Sequence, residues 1–242
     1  MMATETYVCL DFGNTDLKVA FFEKGQLLQT KRFQNLDELI GSIPADLPVA
    51  VSSVREKSIE ERLIKNFKNL VVIHSNLKLP FVNDYATPAT LGIDRLCNAA
   101  ALSKKEGRGA KLSIDIGTCI KFDFLSGDNH YLGGSISPGL KMRFLALHQQ
   151  TANLPLIETN KNPLLIGQTT AESIQSGVQN GMMAEIFGMI AKYEEQFPDL
   201  GVYFTGGDLQ NFDFPQKNNI FVDENLTIKG ISEIYQLNAS NH

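Results

Sequence analysis

Tyr7-Val8-Cys9-Leu10-Asp11-Phe12-Gly13-Asn14-Thr15-Asp16-Leu17-Lys18-Val19-Ala20-Phe21-Phe22 is the stretch on which the reading of this chain turns. An apolar run of strand formers ends on Asp11 and breaks at Gly13. It resumes with Leu17, Val19 and Phe21 alternating against polar or small neighbours, which predicts a strand, a tight turn and a second strand. Gly13 permits close backbone approach to a ligand, Asn14 and Thr15 place donors beside open N–H groups, and a carboxylate at Asp11 suits a hydrated cation. A phosphate held by the turn, with a metal on the carboxylate, is one use of such a set. A purely structural polar turn is the other.

The same device returns at Lys111-Leu112-Ser113-Ile114-Asp115-Ile116-Gly117-Thr118-Cys119-Ile120-Lys121-Phe122-Asp123-Phe124-Leu125, again strand, Asp-x-Gly-Thr, strand. Two copies predict two similar half-domains with a nucleotide between their turns. The repeat resembles the acetate kinase/sugar kinase/Hsp70/actin superfamily. That resemblance implies an α/β fold of two ribonuclease H-like half-domains, mixed sheets flanked by helices. The Gly107-Arg108-Gly109 connector places the halves at 1–109 and 110–242.

A chain of 242 residues has room for two such cores. Its 43% hydrophobic and 20% charged residues describe an ordinary globular protein. A net charge of −5 argues against a nucleic-acid partner, which would require a basic face. No apolar run has the length of a membrane span, and the first residues carry no export signal. Cys9, Cys97 and Cys119 are isolated and lie in apolar segments, so they read as reduced thiols and point to the cytoplasm.

Further along, Gln26 to Phe33 continues as a strand and Asn35 caps a short helix over Leu36 to Ile40. Val49 to Val54 reads as a strand, Ser58 to Phe67 as a helix, and Leu70 to Ile73 as a strand apolar enough to be central. Leu91-Gly92-Ile93-Asp94-Arg95-Leu96 opens a helix that runs to about Lys105, with Ile93, Leu96, Cys97, Ala100 and Ala101 on one apolar face. In the second half a strand is expected near His130 to Leu132. Gly133-Gly134-Ser135-Ile136-Ser137-Pro138-Gly139 then reads as a connection into a helix over Leu140 to Gln149. Thr169 to Phe197 predicts one long helix with two apolar stripes, the second made of Met183, Phe187 and Ile190. So wide an apolar surface suggests burial between elements or between subunits. A strand over Leu200 to Thr205, a last strand over Ile220 to Val222 and a terminal helix capped by Asn225 complete the chain.

Asp94 is the carboxylate with the clearest chemistry. At a helix start the macrodipole favours its charged form, and an ionised carboxylate can align a hydroxyl and accept its proton during phosphoryl transfer. Arg95 beside it suits a carboxylate or phosphate. A first-turn aspartate of purely structural use fits the same position. There is no Gly-x-x-x-x-Gly-Lys-Ser/Thr loop, dinucleotide Gly-x-Gly-x-x-Gly, His-Glu-x-x-His or Gly-x-Ser-x-Gly in the chain, and the four histidines have no metal-ligand spacing.

Taken together, Asp11-Phe12-Gly13-Asn14-Thr15, Gly92-Ile93-Asp94-Arg95, Asp115-Ile116-Gly117-Thr118 and the 133–139 segment resemble, in order and spacing, the motifs of type III pantothenate kinases. The resemblance runs from Tyr7 to Tyr235. It implies ATP-dependent phosphorylation of pantothenate, the first step toward coenzyme A. By position it implies an ATP-binding loop of Asp11, Phe12, Gly13, Asn14, Thr15, Asp16, Leu17 and Lys18, with Thr118 as a second ATP contact. It implies Asp94 as catalytic base, and Tyr85, Gly92, Ile93, Arg95 and Thr170 as substrate contacts beside it. It further implies Mg2+ near Asp11, a monovalent cation (K+ or NH4+) on Asp115, and a homodimer in which Thr170 of one subunit faces Asp94 and Arg95 of the other. Alternatives are a nucleotide-binding regulatory relative with a transcriptional accessory role, or a kinase of the same fold acting on another small hydroxy substrate. One departure stands out: where the third motif commonly continues Ala-x-Thr-x-Asp, this chain has Cys119-Ile120-Lys121-Phe122-Asp123. An ammonium therefore replaces a hydroxyl, and a lysine there can substitute in part for the monovalent cation.

Overall fold

A computed structural model describes residues 6–12, 17–52, 57–214 and 217–239. The chain forms two compact units. The first comprises residues up to Glu106 together with Asn129–Leu132 and the segment from Asn225 onward; the second comprises Gly107–Asp128 and Gly133–Glu224. No described helix is long and apolar enough to cross a membrane.

In the first unit, β1 (Thr6–Phe12) pairs antiparallel with β2 (Leu17–Glu23), and β2 with β3 (Gln26–Phe33). Lys24 and Gly25, both at positive φ, make the tight turn that joins β2 to β3. After α1 (Leu36–Gly41), β4 (Val49–Val51) adds parallel to β1. After α2 (Lys57–Asn66), β5 (Leu70–Val72) adds parallel to β4, giving the order β3-β2-β1-β4-β5. β1 reads as a continuous apolar run because Tyr7 to Leu10 are buried on both faces of the sheet. β3 carries Gln26, Gln29, Thr30, Lys31 and Arg32, the polar composition of an edge strand. The expectation that Leu70–Ile73 is central is corrected: β5 is the other edge, its residues only half-buried. Three residues suffice to close a sheet there, and an apolar run of that length does not reveal how many neighbours it has. Leu39 and Leu63 from the helices, with Phe67 just past α2, close the core over Val8, Leu10 and Val51.

Past β6 (Val82–Asn83), α3 (Ile93–Ser103) is buried over nearly its whole length. The last described helix of the chain, Leu226–Ala239, packs against it. A Cβ at Gly230 would lie 1.7 Å from the carbonyl oxygen of Cys97, so the two helix backbones touch where only a glycine fits. Tyr7 Oη and Ser232 Oγ, 2.6 Å apart, fix the same helix to β1.

In the second unit, β7 (Lys111–Ile116) and β8 (Cys119–Leu125) form the second hairpin. β9 (His130–Pro138) lies beside β8, while β10 (Gly201–Thr205) and β11 (Ile220–Val222) extend the sheet in parallel beyond β7. The first residues of β9 belong to the first unit, where His130 and Tyr131 pair with Val82 and Asn83. β9 corrects the sequence reading, since the strand does not stop at Leu132 but runs through both glycines to Pro138. Gly133 has φ +109, and a Cβ at Gly134 would lie 1.7 Å from the carbonyl oxygen of Phe122. The glycines therefore mark close approach of two backbones inside a sheet.

α4 (Leu140–Gln149) follows. The long helix is α5 (Thr170–Gln175), a π-helical turn over Ser176–Asn180, and α6 (Gly181–Gln196). Ile174, Val178, Met182, Ile186 and Ile190 are buried at strict four-residue spacing. In an ideal α-helix such a row drifts by about 40° per step. The wider π turn takes up part of that drift and keeps the row on the sheet. Of the second stripe, Ile190 is buried in the core of its own unit, and Met183 and Phe187 are half-buried against that core, so burial between elements accounts for it. Leu164, Leu165 and Ile166, just before α5, are a consecutive run among the exposed large apolar residues.

Candidate active site

In the first unit the candidate site residues lie at the ends of β1 and β4 and at the start of α3. Asp11 is half-buried near the end of β1, paired in register with Lys18. Ser52, buried just past β4, donates its hydroxyl to Asp11 Oδ1 at 3.1 Å, and its Oγ accepts from the Phe12 N–H at 3.3 Å. Phe12 and Leu17 are half-buried and paired across the hairpin end. Gly13, Asn14, Thr15 and Asp16, the expected phosphate turn, lie outside the described residues.

Asp94 occupies the first turn of α3, with Gly92 as N-cap residue. Its Oδ1 accepts from the backbone N–H of Arg95 at 2.9 Å. A Cβ at Gly92 would sit 2.6 Å from that same oxygen, so the glycine leaves room for the carboxylate to fold back over the helix start. Arg95 is buried, and its guanidinium lies 5.6 Å above the ring centroid of Tyr85, a cation–π contact. Tyr85 leans on Tyr131 at 6.1 Å between centroids, and its N–H is held by Asn83 Oδ1 at 3.1 Å. Ile93 is half-buried at the first position of the helix.

Cys97, one turn along α3 from Asp94, ties these groups together. Burial pushes its thiol well above the ordinary value, and the negative charges of Asp11 and Asp94 push it further. Both carboxylates are thus within electrostatic reach of one buried thiol. Tyr85, Gly92, Asp94, Arg95 and Asp11, drawn from three separate stretches of sequence, belong to one neighbourhood. Ser52 and Cys97 escaped the sequence reading. A serine closing an apolar strand was the signal for the first, and the one-turn offset from Asp94 for the second.

In the second unit, Thr118 is exposed in the β7–β8 turn, and its carbonyl accepts from the Gly139 N–H at 3.1 Å. A Cβ at Gly139 would lie 2.0 Å from Gly117 O, so the third and fourth motifs interlock at this turn. Asp115 is buried near the end of β7, with Lys121 Nζ on its Oδ2 at 2.7 Å. Asp208 follows the Gly206-Gly207 turn. Burial, with the charge of Asp115 in addition, holds its carboxyl above the usual carboxylate range. Thr170 opens α5, exposed, behind a capping box of Thr169 and Glu172. It borders a cavity of about 910 Å³ lined also by Arg143, Leu147, Leu154 and Gln168.

The fold with its duplicated Asp-x-Gly hairpin is that of the acetate kinase/sugar kinase/Hsp70/actin superfamily. A Sinorhizobium meliloti protein assigned as a 2-dehydro-3-deoxygalactonokinase superposes with TM-score 0.51 at 15% identity, over 97% of this chain and 99% of the other. A Campylobacter jejuni protein assigned to the Baf family of transcriptional activators superposes with TM-score 0.64 at 22% identity, covering 96% and 99%. Beyond the fold, the sequence is decisive. The type III pantothenate kinase model matches residues 7–192. The chain is 42% identical to the type III pantothenate kinase of Christiangramia forsetii over 240 residues, 96% of this chain and 98% of the other. It is 36% identical to that of Flavobacterium johnsoniae over 241 residues, at the same coverage. The chain belongs to the type III pantothenate kinase family.

Proposed function

We propose that the chain transfers the γ-phosphoryl group of ATP to the terminal hydroxyl of pantothenate, giving 4'-phosphopantothenate at the start of coenzyme A biosynthesis. The observation that supports this reading is the set of Asp94, Arg95 and Tyr85 at the start of α3, with Asp11 in electrostatic reach of Cys97 one turn along the same helix. Asp94 is the catalytic base: the helix dipole keeps it ionised, and its carboxylate accepts the hydroxyl proton as the phosphoryl group arrives. Arg95, held by the Tyr85 face, grips the substrate carboxylate, and Tyr85, Gly92, Ile93 and Thr170 shape its pocket. The 11–18 turn and Thr118 hold the nucleotide, the halves 1–109 and 110–242 each contributing one Asp-x-Gly hairpin.

The oxygen donors of Asp11, steadied by Ser52, fit Mg2+, a hard cation that takes one or two carboxylates and phosphate oxygens. When bound, it neutralises charge on the phosphates. The monovalent cation implied at Asp115 does not fit, because Lys121 already sits on that carboxylate. A homodimer sharing the Thr170 pocket is supported by the exposed Leu165 and Ile166 just before α5. A cytoplasmic location is supported by three free cysteines.

The deciding experiment is coupled ADP release with and without pantothenate. Pantothenate-dependent turnover is expected. ATP binding with no such turnover would point to a binding-only relative, and turnover with another hydroxy acid alone would reassign the substrate.

A further inference from the structure

Asp115 and Lys121 are directly opposite one another on β7 and β8. Their side chains are 11% and 18% exposed, and Nζ lies 2.7 Å from Oδ2, the distance of a charge-assisted hydrogen bond. The other oxygen, Oδ1, is covered by the Gly206 turn, where a Cβ would lie 2.6 Å from it. Asp208, beyond that turn, feels the charge of Asp115. The carboxylate on which a monovalent cation is expected thus already holds a cation, tethered by four methylenes and confined by the sheet.

We infer that the Lys121 ammonium is a built-in replacement for the monovalent cation at Asp115, so that this kinase turns over without potassium or ammonium. The inference rests on the kinase reading above. A lysine ammonium carries the charge and the N–H donors of free ammonium, and tethering removes the translational entropy that a free ion loses on binding. A second cation on Asp115 would meet its positive charge at close range, unscreened by solvent. With threonine in place of Lys121 the pair would keep a net negative charge, which is the condition for recruiting an ion.

The test measures pantothenate-dependent ADP release with Mg2+ and choline as the only cations, then titrates KCl against choline chloride at constant ionic strength. It compares wild type, Lys121→Thr and Lys121→Met. Wild type should change by less than about twofold across the titration. Lys121→Thr should lose about tenfold or more in choline and regain most of it in K+ or NH4+. In melting curves the same salts should raise the Tm of Lys121→Thr and leave wild type unmoved, since only the variant gains a site. Wild type stimulated about tenfold by K+, or Lys121→Thr fully active in choline, overturns the inference. If neither variant folds, the wild-type rate and melt decide. A folded, ATP-binding wild type inactive on pantothenate in every salt refutes the kinase reading instead, while the K+ effect on the melts still judges Lys121.

Discussion

Replacing Gly92 with alanine tests whether the position of the Asp94 carboxylate, and not only its presence, drives turnover. Gly92 has φ −59 and ψ 137, a conformation any residue adopts, so the substitution introduces no backbone strain. Its new Cβ would lie 2.6 Å from Asp94 Oδ1. Non-bonded atoms settle at about 3.5 Å, so the carboxylate must retreat by roughly 0.5–1 Å. That motion also strains its 2.9 Å bond from the Arg95 N–H. A displacement of about 1 Å in a reacting group costs about 10²-fold in rate. Alanine is also a poorer N-cap than glycine, a loss of about 1 kcal/mol or less, which lowers Tm by about 2–4 °C in a chain of this size. The expected result is a kcat reduced by about 10–100-fold, with ATP affinity unchanged and the fold intact. The assay pairs coupled ADP release with ATP titration and a melting curve. A kcat within twofold of wild type, in a protein that melts as described, refutes the idea that Gly92 serves the carboxylate.

Asp94→Asn keeps the size and removes the charge, so turnover should fall by at least about 10²-fold while ATP titrates normally; a variant with half the wild-type rate removes Asp94 from the mechanism. Gly230→Ala must push its helix away from Cys97 and should cost about 2–3 kcal/mol, read as a Tm lowered by roughly 5–10 °C; an unshifted melt would mean that the α3 contact is loose. Burial pushes the thiols of Cys9 and Cys97 well above their ordinary value, so near pH 8 an aromatic disulfide reagent should modify half-buried Cys119 first and the other two only on unfolding. Rapid native modification of Cys97 would contradict its burial. Heterodimers of Thr170→Ala and Asp94→Asn subunits should recover about half the wild-type activity if the proposed dimer shares its sites; no recovery despite proven exchange would confine each site to one chain.

Local patterns decided what was legible beforehand. Both Asp-x-Gly hairpins, α3 with its apolar face, and the helix over Leu140 to Gln149 followed from periodicity and turn residues, because the forces that shape them act within a few residues. What sequence could not show was contact between distant segments. Ser52 reaches Asp11 across the sheet, and the guanidinium of Arg95 rests on Tyr85. The glycine pair of β9 read as a connection because the backbone it accommodates, at Phe122, lies on another strand. The π turn within the long helix was hidden for a related reason: it accommodates the drift of a buried row and has no residue signature of its own.

The helix bearing Gly230 and Ser232 has a consequence for biosynthesis. It completes the first unit by lying on α3 and β1, yet the ribosome makes it only after every residue of the second unit. Domains usually fold in the order in which they emerge. Here the second unit has all its strands and helices while the first still lacks its final layer. Until that segment emerges, the start of α3, and with it Asp94 and Arg95, rests on an unfinished core. A ribosome stalled before Asn225 would therefore display a complete second unit while the first, with the proposed base Asp94, waits for the helix that covers α3.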